Sequence, residues 1–130
     1  MKAKGISLDE YKKLKKKKTP KYRNVATTYN GIRFQSKAEC ERYKELELLQ
    51  KAGHISYFLR QAPFDLPGGI KYYADFMIIE DRFCCGCSEQ LYEIWYEDVK
   101  SKATANNRVF INKVKQVKAL YNVDIEIIIK

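Results

Sequence analysis

Asp98 and Lys100 close the run Leu91 to Lys100, which reads as a β-strand, and Asp75 lies on the apolar strand before it. Residues two apart on a strand project from the same face, so Asp98 and Lys100 point together while Glu97 and Val99 point the other way. Two carboxylates on neighbouring strands can hold a divalent cation, with the Val99 carbonyl as a further oxygen ligand. A lysine beside them can orient an attacking water and stabilise negative charge as it develops. That is the chemistry needed to hydrolyse a phosphodiester, where metal and lysine neutralise the phosphoryl oxygens and leaving group. Taken alone, Asp-x-Lys occurs by chance in many chains, so its weight depends on the elements that carry it.

Those elements can be read along the chain. Tyr29-Asn30-Gly31-Ile32 is a tight-turn signature between two short strands, because Asn-Gly favours positive φ. Ser36 is a helix N-cap, and Ser36-Lys37-Ala38-Glu39 matches a capping box. The helix should run to Lys51 and stop near Gly53, with Glu39, Tyr43, Leu46 and Leu49 on its inward stripe. Ile55 to Arg60 reads as a strand followed by Gln61, and Pro67-Gly68-Gly69 as a turn. Ile70 to Glu80 is a long strand with Tyr73, Asp75, Met77 and Ile79 on one face and Tyr72, Ala74, Phe76 and Ile78 on the other. Both faces read as buried, as in a central strand, where an aspartate is costly unless it is paired or metal-bound.

Asp81 to Gln90 is a polar connection that carries Cys84, Cys85 and Cys87, and Ser101 to Asn107 is a polar loop. A second helix carries Phe110, Val114, Val117 and Tyr121 at helical spacing, and Val123 to Ile129 is a last strand. The order helix, three strands, helix, strand predicts an α/β fold, a mixed sheet flanked by helices, its last strand joined by a right-handed crossover.

The charge is unevenly placed. Residues 1–24 carry ten Lys/Arg against two Asp/Glu, whereas 25–130 are almost balanced within an overall +9. The expectation is a basic, disordered arm over 1–24 and a single domain over 25–130. Lys15, Lys16, Lys17, Lys18, Lys21 and Arg23 on the arm, and Lys113 on the second helix, are candidate nucleic-acid contacts. Thr104 and Arg108 lie close enough to join Lys113 at a phosphate. A solvated tail and an ordinary polar helix face are the bland readings of the same residues. No segment has the uninterrupted apolar length of a membrane span and no signal-peptide core follows the basic start, so the chain reads as soluble and intracellular.

Other polar residues have plain structural readings. Glu39 can serve only as the partner of Ser36 in the cap, Asp98 and Lys100 as an edge-strand ion pair, and Gln61 as a partner for backbone groups. Glu97 reads as solvated or paired with a basic residue, and His54 as a turn histidine. A zinc site at Cys84, Cys85 and Cys87 needs a fourth ligand, from Cys40, His54 or another subunit, so reduced thiols in a turn are the better reading. Tyr22, Tyr29 and Tyr57 are left as candidate surface contacts once Tyr43, Tyr72 and Tyr121 are assigned to core stripes.

The ordered set Phe34-x-Ser36-Lys37-x-Glu39, Gln61, Tyr73-Ala74-Asp75-Phe76 and Glu97-Asp98-Val99-Lys100 resembles the PD-(D/E)xK nuclease superfamily. More closely, it is similar to small phage and prophage endonucleases related in fold to Holliday-junction resolvases. The resemblance spans residues 21–130; Ala74 stands where the superfamily name has proline, and the cysteine-bearing connection is outside the pattern. It implies a restriction-endonuclease-like αβββαβ core and a Mg²⁺-dependent endodeoxyribonuclease, with Mn²⁺ as a substitute metal. Asp75 and Asp98 are then metal ligands, with Val99 and Glu39 completing or supporting the site, Lys100 the catalytic lysine and Gln61 a supporting residue. Duplex, branched, flap or Holliday-junction DNA becomes the expected partner, in phage recombination or replication in a bacterial cytoplasm. A homodimer is compatible with cutting a symmetric junction. The contrasting expectation is a non-catalytic nucleic-acid-binding accessory protein that keeps the nuclease-like fold.

Overall fold

The computed structural model describes residues 25–83, 86 and 89–130. The basic arm, with Lys15 to Lys18, Lys21, Tyr22 and Arg23, lies outside the described residues, as do Cys84, Cys85 and Cys87. The described chain forms the hairpin β1 (Thr27–Tyr29) and β2 (Ile32–Phe34), then helix α1 (Lys37–Lys51) and strands β3 (Tyr57–Leu66), β4 (Ile70–Phe83) and β5 (Gln90–Lys100). One turn of helix, α2 (Lys102–Ala105), leads into α3 (Arg108–Tyr121) and the final strand β6 (Ile125–Ile129). Strands β3, β4, β5 and β6 form one sheet in that order, antiparallel until β6, which pairs parallel to β5. The architecture is α/β with a mixed sheet, as the element order predicts.

Each helix covers its own side of this sheet. Leu46 of α1 packs with Phe76, Ile78 and Val99, and Phe110 and Val117 of α3 pack with Ala62, Phe64, Tyr72, Ala74 and Ile125. The β1–β2 hairpin closes the α1 side, where the buried Phe34 ring meets Tyr43 at 5.1 Å. Its turn has Asn30 and Gly31 at φ 47° and 74°, the left-handed pair that a two-residue hairpin loop requires. Ser36 caps α1 by accepting the Glu39 backbone N–H at 3.1 Å.

The strands differ from the expected pattern at one place with consequences for the site. The expected alternation puts Tyr72, Ala74, Phe76 and Ile78 of β4 on one face, but Tyr72 and Ala74 join the α3 core while Phe76 and Ile78 join the α1 core. Strand β3 does the same, with Phe58 against the α1 core and Ala62, Phe64 and Leu66 in the α3 core. The ladder pairs Arg60 with Phe76 and Ala62 with Ala74 and skips the pair between them, Gln61 and Asp75. Gln61 sits at φ 54°, a left-handed conformation that rotates the strand from one face to the other.

Several boundaries move for local reasons. Strand β3 continues six residues beyond Arg60, through Pro63, which is tolerated because β3 is an edge strand. The β4–β5 hairpin extends to the pair Phe83–Gln90, so the connection is shorter than Asp81 to Gln90. The polar stretch after Lys100 contains α2, and β6 starts at Ile125 because Asn122 ends α3 in the left-handed region. Among the described residues no helix is long and apolar enough to cross a membrane.

Candidate active site

The strand switch brings Asp75 beside the end of β5. Its Oδ2 accepts the Val99 backbone N–H at 2.8 Å, a side chain replacing a ladder partner where the regular pairing has broken. Asp98, on the α3 face of β5, is buried and interacts directly with Asp75. Burial and the neighbouring Asp98 charge push the Asp75 carboxyl up to about 7, with Lys100 pulling the other way. In this poorly solvated position beside another carboxylate the protonated form of Asp75 is favoured, unless a cation offsets the charge.

Asp98 is held from two sides. The buried Tyr72 hydroxyl donates a short hydrogen bond to its Oδ2, and Lys100 Nζ lies 2.5 Å from its Oδ1. Burial and then the Asp98 charge raise the Tyr72 hydroxyl well above the ordinary phenol range, so Tyr72 remains a donor. The Lys100 contact is ionic: Oδ1 is buried and has no partner in hydrogen-bond geometry. Lys100 itself stands between that oxygen and the Phe110 ring, 5.2 Å from its centroid.

Glu39 approaches from α1. It is buried, and its Oε2 accepts the Gln35 backbone N–H at 3.3 Å, one residue before the expected cap partner. Its Oε1 accepts from the Gln61 amide at 3.4 Å and lies 3.8 Å from an Arg60 guanidinium nitrogen. Glu39 and Asp75 line one cavity of about 320 Å³ together with Lys100. A second cavity has Asp75, Asp98, Gln61 and Lys113 on its walls, again with Lys100. Glu39, Gln61, Asp75, Asp98, Lys100 and Lys113 therefore come together around one cleft. Thr104 lines the first cavity, and Arg108 is exposed.

The remaining sequence expectations separate from the site. Glu97 is buried on the α1 face, where Arg42 holds both its oxygens at 2.8 Å and the Trp95 indole donates to it at 3.2 Å. The pairing with a basic residue is borne out, and the pleat keeps this pair away from Asp98. Cys40 is a free, buried thiol on α1, and His54 is exposed at the helix end. Tyr29 donates to Glu47, Tyr57 is exposed, and Tyr121 stacks on Phe64 while donating to the Asp65 carbonyl.

Sequence reasoning missed Tyr72 and Arg60. Tyr72 reads as a core tyrosine, and it is one; the signal for a second role is a hydroxyl that must find an acceptor once buried. Arg60 stacks on Phe34 at 4.5 Å from the ring centroid while it faces Glu39. Nothing in the sequence places these groups together before the sheet register is known.

Among the described residues no three acidic, histidine or cysteine side chains converge into a metal cluster by themselves. Two adjacent carboxylates, one with a buried oxygen lacking a hydrogen bond, nevertheless fit Mg²⁺, which is held by one or two carboxylates and keeps waters and phosphates as its other ligands.

Fold and site define an α/β protein with a buried aspartate, Asp98, a partly buried one beside it, Asp75, and a lysine at the floor of a cleft. The chain belongs to a family described as protein of unknown function (DUF1064), whose model matches residues 19–129. No curated protein and no solved structure matches the chain.

Proposed function

We propose that the protein is a metal-dependent endonuclease of the PD-(D/E)xK type that hydrolyses DNA phosphodiester bonds. The observation that carries this reading is the contact of Asp75 and Asp98 across two strands, with Lys100 at the buried Asp98 oxygen. Asp75 and Asp98 would hold Mg²⁺ or Mn²⁺, with the Val99 carbonyl beside them and Glu39 on the cavity wall as support through water. Such a cation supplies charge neutralisation at the phosphoryl oxygens and lowers the pKa of a bound water. Tyr72 fixes the rotamer of Asp98 by donating to one oxygen, which leaves the other aimed at Lys100. Lys100 stands at the cleft floor, where it can orient water and offset charge on the phosphate.

The element order, the paired helices and the strand switch at Asp75 support a restriction-endonuclease-like core. Branched, flap or Holliday-junction DNA in phage recombination or replication is the substrate class that the sequence resemblance favours. The trial is incubation of the full chain with labelled junction, flap and duplex DNA plus Mg²⁺ or Mn²⁺. Metal-dependent cleavage that disappears in Asp98→Ala and Lys100→Ala is expected. Equal residual cleavage by wild type and both variants sinks the enzyme reading. Salt-sensitive binding without cleavage or a metal requirement would instead indicate a non-catalytic binding module.

A further inference from the structure

The two cavities meet at the carboxylate pair, since Gln35, Asp75 and Lys100 line both. Among the described residues neither wall carries a carboxylate besides Glu39, Asp75 and Asp98, but each carries two more lysines. On the first wall these are Lys37 and Lys130, and on the second Lys71 and Lys113. Lys130 is held by Glu45 at 2.6 Å, and Lys71 lies 3.7 Å from Asp65. Lys37 and Lys113 have no carboxylate partner within ion-pair distance among the described residues. Each flank of the acidic centre thus has one lysine that no carboxylate among the described residues neutralises.

We propose that the cleft takes a nucleic-acid backbone lengthwise, with the phosphates on the two sides of the cut held by Lys37 and Lys113 respectively. This rests on the phosphodiester-hydrolysis reading above and adds the path of the strand. The central phosphodiester lies over Asp75, Asp98 and Lys100; among the described residues, Asp75 and Asp98 are the only carboxylates on the cavity walls besides Glu39. A repeating polyanion matches this alternation of lysine, acidic centre and lysine, because its charges extend past the metal site in both directions. Lysine suits the flanking positions as a mobile point charge that holds phosphate without reading sequence. Tyr73, half exposed on the second wall, offers a ring face to a base on that side. A backbone gripped on both sides is cut internally, so a free strand end is not required.

The test uses oligonucleotides carrying a single uncharged methylphosphonate immediately 5′ or 3′ of the cut, with the full chain as wild type, Lys37→Gln and Lys113→Gln. Wild type should lose about tenfold in cleavage rate with either neutral linkage. Lys37→Gln should become indifferent to the neutral linkage on one side only, and Lys113→Gln on the other. Variants that cleave at the wild-type rate, or that stay sensitive on both sides, overturn the proposal. Binding of the unmodified oligonucleotide in Ca²⁺ separates the two readings. Each variant should reduce the slope of log K against log salt by about 1. If wild type cuts nothing but these slopes fall, the nuclease reading fails and the strand path stands; unchanged slopes and unchanged cleavage remove the path.

Discussion

Gln61 on β3 and Asp75 on β4 face each other at the point where the ladder skips a pair, between Arg60–Phe76 and Ala62–Ala74. Both strands change faces there, from the α1 core to the α3 core. The break frees Asp75 to accept the Val99 N–H and turns the Gln61 amide towards Glu39. One local distortion thus positions groups from four elements around a single cleft.

Gln61 carries that distortion at φ 54°, where a side chain with a branched Cβ is strained. Gln61→Gly should keep or slightly raise stability, because glycine adopts this conformation freely. Gln61→Val should lose about 1–3 kcal/mol in urea unfolding. If Gln61→Val unfolds at the wild-type denaturant concentration, the switch is not anchored at Gln61. Both variants remove the amide from Glu39, so both should lower cleavage, which separates the backbone effect from the side-chain effect.

The Asp75 carboxyl gives the fold a pH dependence of known sign. Its ordinary value is 3.8 and in the folded chain it is pushed up to about 7. Between those values the folded state keeps a proton that the unfolded chain has released, so stability falls as pH rises through this window and levels off above it. The loss should be about 1–3 kcal/mol, below the full linkage value because the carboxyl is only partly buried. Thermal unfolding of the metal-free chain should therefore give a higher Tm at pH 5 than at pH 8. Asp75→Asn should flatten that profile and unfold above wild type at pH 8. Added Mg²⁺ should stabilise wild type more at pH 8 than at pH 5, and identical pH profiles for wild type and Asp75→Asn would contradict the assignment.

Much of this arrangement is legible in the sequence because it rests on local rules. The Asn30-Gly31 turn, the Ser36 cap, the α1 end near Gly53 and the opposite faces of Glu97 and Asp98 follow from turn chemistry and strand periodicity. The face switch on β4 is not legible, since its apolar residues alternate smoothly through Asp75 and both faces are covered. Its cause is on another strand, at a glutamine whose left-handed backbone no propensity suggests. The Tyr72–Asp98 bond joins residues 26 apart and appears only once β4 and β5 are set in register.

That bond makes its own prediction. Tyr72→Phe keeps the ring between Phe64 and Phe110 and removes only the donor to Asp98. An acidic ligand that loses its orienting hydrogen bond typically lowers metal affinity or activity 10–100-fold. Tyr72→Phe should therefore need about tenfold more Mg²⁺ for half-maximal cleavage, while its rate at saturating metal falls less. A variant with the wild-type Mg²⁺ dependence would show that the hydroxyl merely satisfies a buried carboxylate.

Arg42 and Glu97 should behave in the opposite way, affecting stability and not the metal. Glu97 is almost wholly buried, with both oxygens on the Arg42 guanidinium and the Trp95 indole alongside. The Glu97 partner raises the Arg42 guanidinium further above its already high ordinary value, so the guanidinium stays charged through any moderate pH change. Removing one member strands the other: Arg42→Ala leaves a carboxylate in the α1 core and should lose about 3–5 kcal/mol. Replacing both, as Arg42→Met with Glu97→Leu, removes the stranded charge and should recover most of that loss. The Mg²⁺ concentration for half-maximal cleavage should be unchanged in the double variant, because the pleat puts Glu97 and Asp98 on opposite faces of β5. Chemical unfolding and a metal titration on the same three proteins check both halves. A double variant no more stable than Arg42→Ala would mean that packing around the guanidinium, and not the stranded charge, dominates the loss.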